Sequence, residues 1–313
     1  MTPALHILQA LLMIAGAPLV GGVVSATKAR LQRRRGASIF RPYADLWKLF
    51  HKEDLIPPTA SPLFRLAPMI VLAITVVSSL FLPVLAETSL LGGMGDFILL
   101  ISLLALARFF LVLGGMDGGG AFGGMGGSRE VMVSALAEVP FMLSLISVSI
   151  MAQSTRLSGI VHWTLTENVF DVSAVHILAF SAMAIVAIAE TGRMPVDNPT
   201  THLELTMIHE AMVLEYSGPS LAYVEWASAL KMNVVLSLLV AVFLPWGMAT
   251  TWTLPALGIA LLAYMGKILG LALTLAVVES GVAKMRMYAV PDFLGVATAT
   301  SILAVVFTAL GRR

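Results

Sequence analysis

Eight ionisable residues crowd into one short stretch of an otherwise apolar chain: Glu190, Arg193, Asp197, His202, Glu204, His209, Glu210 and Glu215. Carboxylates with an arginine among them are the groups of a proton relay. Burial raises carboxylate pKa values and a neighbouring cation lowers them, so such a set can take up and release protons in turn. The competing chemistry is static ion pairing. His209-Glu210 opens like an HExxH zinc site, but Val213 stands where the second histidine is required, and no metal centre is expected. His202 and His209 are read as helix-surface or hydrogen-bonding residues. If residues 200–216 form one helix, Glu204 and Glu215 share nearly one face, about 16 Å apart along the axis. Water or other acids would have to bridge that gap. Arg193 is placed to tune Asp197, four residues on, or a nearby acid.

The elements that position these groups are membrane spans. The chain has 313 residues, 58% hydrophobic and 12% charged, with mean hydropathy +0.92. A soluble chain carries about 25% charged residues. The expected fold is all-α: a polytopic membrane protein of about eight transmembrane helices, with amphipathic loop helices, forming a single membrane domain over residues 1–313. There is no Cys, so neither disulfides nor thiolate-bound clusters belong to this chain. The first apolar run is too long for a signal peptide and is read as a retained span. Runs free of Asp, Glu, Lys and Arg place most of the spans: residues 5–26, 66–86, 97–113 (containing Arg108), 131–152 (containing Glu138), 172–189, 232–249, 256–278 (containing Lys267) and 293–310. Pro245, Thr250 to Thr253 and Pro255 divide the long uncharged stretch between the sixth and seventh.

Lys and Arg concentrate in the first loop, among them Lys28, Arg33, Arg34, Arg35, Arg41 and Lys48; among the later loops they recur in the odd-numbered ones apart from Arg156, with Arg312 and Arg313 at the C-terminus against the trend. Odd loops are therefore expected on the cytoplasmic side, with both termini outside. Pro42 begins a short amphipathic helix with apolar residues at 43, 46, 47, 49 and 50. It suits either the lipid headgroups or a soluble partner. Residues 114–127 are glycine-rich, but Ser128-Arg129-Glu130 follows where a phosphate loop needs Gly-Lys-Ser/Thr. Close backbone packing is the expected use of these glycines, with Ser128 capping the fourth span.

A charge at mid-bilayer costs about 2.5–3.5 kcal/mol on insertion scales, so intramembrane charges pair, border water or face the bundle interior. Glu138, Glu190, Glu279 and the fifth-loop acids all fall toward the cytoplasmic half and are expected to form a carboxylate funnel. Lys267 needs a carboxylate or a hydrated cavity. Arg108 lies near a span end, where snorkelling to the headgroups is an alternative.

Glu190-Thr191-Gly192-Arg193-Met194-Pro195-Val196-Asp197, then Glu204-Leu205, then Glu215-Tyr216-Ser217-Gly218, resembles the signature of the membrane subunit 1 family of respiratory complex I. Arg33 to Gly36, Tyr43, Asp45, Lys48 and Leu49 match in order. The Gly-Met-Asp-Gly stretch containing Asp117, Phe122, Gly127-Ser128-Arg129-Glu130, Lys267 and Glu279-Ser280 are closer to one branch, as is Ala283-Lys284-Met285-Arg286. That branch is the membrane anchor of group 4 energy-converting NiFe hydrogenases, represented by hydrogenase-4 component C and the formate hydrogenlyase membrane subunit. The resemblance covers nearly the whole chain. It implies a non-catalytic subunit of an oxidoreductase complex in a prokaryotic inner membrane, linking electron transfer to proton or sodium translocation. The NiFe centre and iron–sulfur clusters would lie in peripheral large and small subunits and Fe–S proteins, beside antiporter-like membrane subunits, with no cofactor in this chain. Relay and coupling residues would be Glu138, Glu190, Arg193, Asp197, Glu204, Glu210, Glu215, Lys267 and Glu279. The peripheral arm would dock on Arg33, Arg34, Arg35, Tyr43, Asp45, Lys48, Asp117, Arg129, Glu130 and Tyr216. The acidic run usual in complex I is thinned here by Thr200 and Thr201, which favours the hydrogenase branch over the alternative, a quinone-binding subunit of an NADH–quinone oxidoreductase. No internal repeat supports an independent transporter.

Overall fold

The computed structural model describes residues 3–166, 174–197, 207–249 and 253–310. Eleven α-helices follow in order: α1 Pro3–Leu31, α2 Arg41–Phe50, α3 Pro62–Leu80, α4 Phe97–Asp117, α5 Ala121–Ala152, α6 Leu157–Thr166, α7 Ala174–Glu190, α8 His209–Val213, α9 Gly218–Phe243, α10 Leu254–Gly281 and α11 Val290–Leu310. Among the described residues no strand forms, only two isolated bridges. Seven helices are long and apolar enough to cross a membrane, and α7 is a shorter apolar helix of 17 residues. The chain is a multi-pass membrane protein.

Helix starts follow local chemistry. Ser61 and Asp96 accept from Leu63 N and Ile98 N to cap α3 and α4, and Thr253 caps α10 ahead of Pro255. Two helices begin well before the charge-free runs expected for them. α9 starts at Gly218 rather than Met232, and α5 at Ala121 rather than Val131. Glu225 and Lys231 lie inside α9, and Arg129 and Glu130 inside α5, because these charges face protein or cavity and not lipid. Ser128 is therefore interior to α5, its hydroxyl donating to Met125 O, and caps nothing.

α9 is the axis of the bundle, buried without interruption from Met232 to Phe243. α3 packs on α4 and α9, α1 on α9 and α10, and α11 on α5 and α7. The glycines after α4 do serve close packing: a Cβ on Gly123 would meet Gly115 O at 2.0 Å, and one on Gly126 would meet Ile208 O at 2.8 Å. The second, fourth and sixth loops meet at one end, where Leu85 O accepts from Ala249 N and Gly95 O from Leu157 N. Gln9 joins them, its Oε1 accepting from Val84 N and Leu85 N at 3.0 Å. The first, third, fifth and seventh loops meet at the other end.

Candidate functional site

A guanidinium in an apolar helix is stable only with carboxylates around it. Arg108 of α4 is 7% exposed and does not snorkel. Its Nη2 donates to both oxygens of Glu190 at 2.8 and 2.7 Å, and its Nη1 to Glu138 at 3.3 Å. Its Nε lies 3.7 Å from Glu130. Glu190, at the end of α7, also receives the Lys231 ammonium at 3.2 Å. Four helices thus contribute to one buried knot.

A second knot lies beside it. Glu279 of α10 is buried between Lys28 of α1 at 3.1 Å and Arg193 of the fifth loop at 3.3 Å. In a third pair, Asp197 holds Lys284 at 2.8 Å and accepts from Ile208 N and His209 N at 3.2 and 3.1 Å, fixing the entry to α8. Arg193 therefore pairs with Glu279, the nearby acid, and not with Asp197 four residues on. Glu138 pairs with Arg108. Among the described residues, five cations (Arg108, Lys231, Lys28, Arg193, Lys284) face five carboxylates (Glu190, Glu138, Glu130, Glu279, Asp197) across the three knots.

The knots border a cavity of about 430 Å³ between α1, α2, α3, α4, α9 and the fifth loop. Arg108, Glu190 and Arg193 line one wall, Asp45 and Leu46 of α2 another, and His209, Glu210 and Glu225 a third. His209 Nε2 is buried without a hydrogen-bond partner among the described residues. α2 roofs this space: Tyr43 donates to Ala15 O at 2.5 Å, and the Phe50 ring packs edge-on against Tyr223 at 5.4 Å. Burial pushes the Tyr43 phenol above its usual range. Trp47 and Lys48 remain exposed on the outer face, as do Arg33, Arg34 and Arg35, while Asp45 pairs with Arg41 at 3.0 Å.

Other expected site residues sit elsewhere. Glu204 lies outside the described residues. The helix imagined over residues 200–216 is, where described, only α8, which ends at Val213. Glu215 is exposed against Gly118 and Gly120, away from the cavity. Lys267 meets no carboxylate of the knots; its ammonium donates to Leu244 O at 2.6 Å and to Trp246 O, at the far end of α9. Tyr216 is not a docking surface. It is buried and stacked on Phe64 at 4.2 Å, and burial and the nearby Asp117 push its phenol up. Glu130 faces Arg108, and Arg129 donates to Met207 O at 2.9 Å, so both point inward from the expected docking face.

Asp117 is a helix cap. Its Oδ2 accepts from Ser61 N, Ser61 Oγ and Phe64 N at 2.9, 2.8 and 3.1 Å, closing the first turn of α3. Asp117→Ala is expected to lower stability by about 1 kcal/mol, the value of a lost N-cap, seen as a lower thermal midpoint. An unchanged midpoint would show that the cap carries no stability.

Arg108, Lys28, Lys231, Lys284 and Glu225 hold or line this site, and the expected relay and docking sets left them out. The available signal was pairing demand. Each lone intramembrane charge needs a partner, and Arg108 could have been matched to Glu190 on that ground.

Residues 4–309 match the NADH dehydrogenase family. The chain is 34% identical over 289 residues to formate hydrogenlyase subunit 4 of Escherichia coli (strain K12), covering 91% of this chain and 92% of that protein. It is 33% identical over 303 residues to hydrogenase-4 component C of the same organism, covering 97% and 95%. Its fold is that of a chain in the membrane-bound sulfane sulfur reductase, an archaeal respiratory membrane complex, with TM-score 0.81 and 22% identity. That match covers 97% of this chain and 99% of the other.

Proposed function

The chain belongs to the NADH dehydrogenase family, and from that membership we propose that it is the membrane anchor and coupling subunit of a group 4 energy-converting NiFe hydrogenase. The hydrogenase relatives favour that branch. The observation that carries the coupling role is Glu190, a buried carboxylate held by two cations from different helices, Arg108 and Lys231, where α7 hands the chain to the fifth loop. The peripheral large and small subunits and Fe–S proteins, carrying the NiFe centre and the clusters, dock over α2 and Arg33 to Arg35. Antiporter-like subunits abut the spans. The first, third, fifth and seventh loops face the cytoplasm of a prokaryotic cell and both termini face outward, as the loop Lys and Arg require.

Movement of the fifth loop, driven by the arm, displaces Arg193 and Asp197 from Glu279 and Lys284. Arg108 then has Glu138 and Glu130 within reach as alternatives to Glu190. A carboxylate that loses one of two counter-charges in a low-dielectric site gains proton affinity. Glu190 takes up a proton in that state and releases it when Arg108 returns. Glu210, lining the same cavity, and Glu204 extend the relay toward the cytoplasm.

Glu190→Gln in inverted membrane vesicles is expected to leave hydrogen evolution from an artificial donor intact. Coupled ion uptake should fall by roughly tenfold or more, the equivalent of about 1.4 kcal/mol of barrier. Wild-type values of both would sink the relay. The cavity below α2 favours one second reading, direct binding of a quinone between the first and fifth loops. Quinone recovered in stoichiometric amount with the purified complex would establish it.

A further inference from the structure

Away from the acid knots, the polar groups of the bundle follow a second line. α9 stops at Phe243, and the chain runs on without helix to Ala249, against the face of α10. Gly247 (φ +79°) lies so close to Ala263 that a Cβ would meet it at 2.8 Å. Non-helical backbone inside an apolar bundle leaves carbonyls that need donors. Thr164 Oγ1 reaches Val242 O and a His176 ring nitrogen reaches Phe243 O, both at 3.3 Å. Lys267 supplies Leu244 O at 2.6 Å and Trp246 O. Lys267 is thirteen residues into α10, about 20 Å along its axis. A cation at a helix C-terminus has a plain structural use as a cap.

Its surroundings point further. One turn away on α10, the Tyr264 hydroxyl shares a 2.9 Å hydrogen bond with Ser237 of α9. A turn earlier on α9, Asn233 donates from Nδ2 to Met13 O at 3.0 Å. All three side chains are fully buried. The Met13 carbonyl can only accept, which fixes the Asn233 amide and turns its Oδ1 away, where no donor meets it among the described residues. A buried amide oxygen without a protein donor needs one from elsewhere, and an ordered water is the usual supplier. Next to Asn233, Met232 Sδ lies 3.3 Å from Arg193 Nη2, and Arg193 pairs with Glu279. The Asn233–Ser237–Tyr264 cluster therefore lies along the α1–α9–α10 seam between the second knot, which Met232 touches, and Lys267.

We propose that this seam is a second proton-transfer site, with Lys267 as the proton carrier and the Asn233–Ser237–Tyr264 cluster holding the water that feeds it. The proposal rests on the coupling function proposed above. In each cycle the Lys267 ammonium gives one proton to water on the side of the second, fourth and sixth loops and becomes a neutral amine. The amine then takes one proton from the cluster water, which is replenished from the knot side, so one proton crosses and no electron moves. Ser237 and Tyr264 hydroxyls can both donate and accept, as a relay requires. The α9 carbonyls hold the charged amine and release the neutral one.

Lys267→Arg separates carrier from cap, because a guanidinium keeps the charge and the donors but does not deprotonate. In the intact complex in inverted vesicles, Lys267→Arg is expected to assemble and evolve hydrogen while ion uptake per hydrogen falls to roughly a tenth or less. Tyr264→Phe should shift it the same way, by a smaller factor. Wild-type uptake in Lys267→Arg overturns the proposal and leaves Lys267 a cap. If that variant does not assemble, Tyr264→Phe decides, and wild-type uptake there overturns it. Glu190→Gln in the same vesicles separates the two readings. Uptake lost there but kept in the seam variants refutes the seam alone; uptake kept in all three refutes the coupling function.

Discussion

Arg108→Leu is expected to destabilise the chain by roughly 3–5 kcal/mol, the usual result of removing one partner from a buried ion pair. Glu190 would keep only Lys231, while Glu138 and Glu130 would lose their shared cation. Arg108→Lys should recover only part of the loss. An ammonium is a point charge and cannot bridge Glu190 and Glu138 with the planar fork that Arg108 uses. The pair Arg108→Leu with Glu130→Gln should be more stable than Arg108→Leu alone, since Glu130 has no other cation among the described residues and its stranded charge is gone. Assembled yield and thermal midpoint of the three variants test this. A double variant no better than the single one would mean that Arg108 acts through packing and not through charge.

The same knot shows where sequence reasoning reaches and where it stops. Each predicted span overlaps one helix, because uninterrupted apolar runs have few other fates. The starts of α5 and α9 were hidden because a rule that ends spans at charges treats a cavity-facing Glu225 or Lys231 as if it met lipid. Glu190, Asp197 and Glu279 stood out as acids in an apolar chain. Arg193 stood out with them, but Lys28 and Lys231 read as loop charges, and pairing such as Arg108 with Glu190 across 82 residues or Arg193 with Glu279 across 86 leaves no local periodicity. Tyr216 and Asp117 illustrate a different limit. Motif membership marks a residue as needed, but the need is packing on Phe64 in one case and capping of α3 in the other. A lone ammonium at Lys267 calls for a carboxylate or a hydrated cavity. The carbonyls left by the early end of α9 supply a different partner, and no sequence feature except Pro245 hints at where that helix ends.

Glu279→Gln is expected to act on the fifth loop more than on the fold. Glu279 is the sole carboxylate paired with Lys28 or Arg193 among the described residues, and it ties α1, α10 and the fifth loop together. A neutral amide keeps the shape but leaves two cations sharing one space, which costs about 3 kcal/mol when both are largely removed from water. Arg193 is the partner able to leave, being on a loop, whereas Lys28 is fixed at the end of α1. Amide hydrogen exchange at residues 191–197 should therefore quicken by roughly two orders of magnitude if that energy appears as local opening, with α9 unaffected. Glu138→Gln is the contrast. Its side chain is 40% exposed and one of three acids on Arg108, so water screens much of its loss and exchange at 191–197 should stay near wild type. Equal effects in the two variants would mean that the loop is held by backbone contacts, such as Met285 N to Pro195 O. Glu279 would then not be the latch that lets the fifth loop respond to the arm.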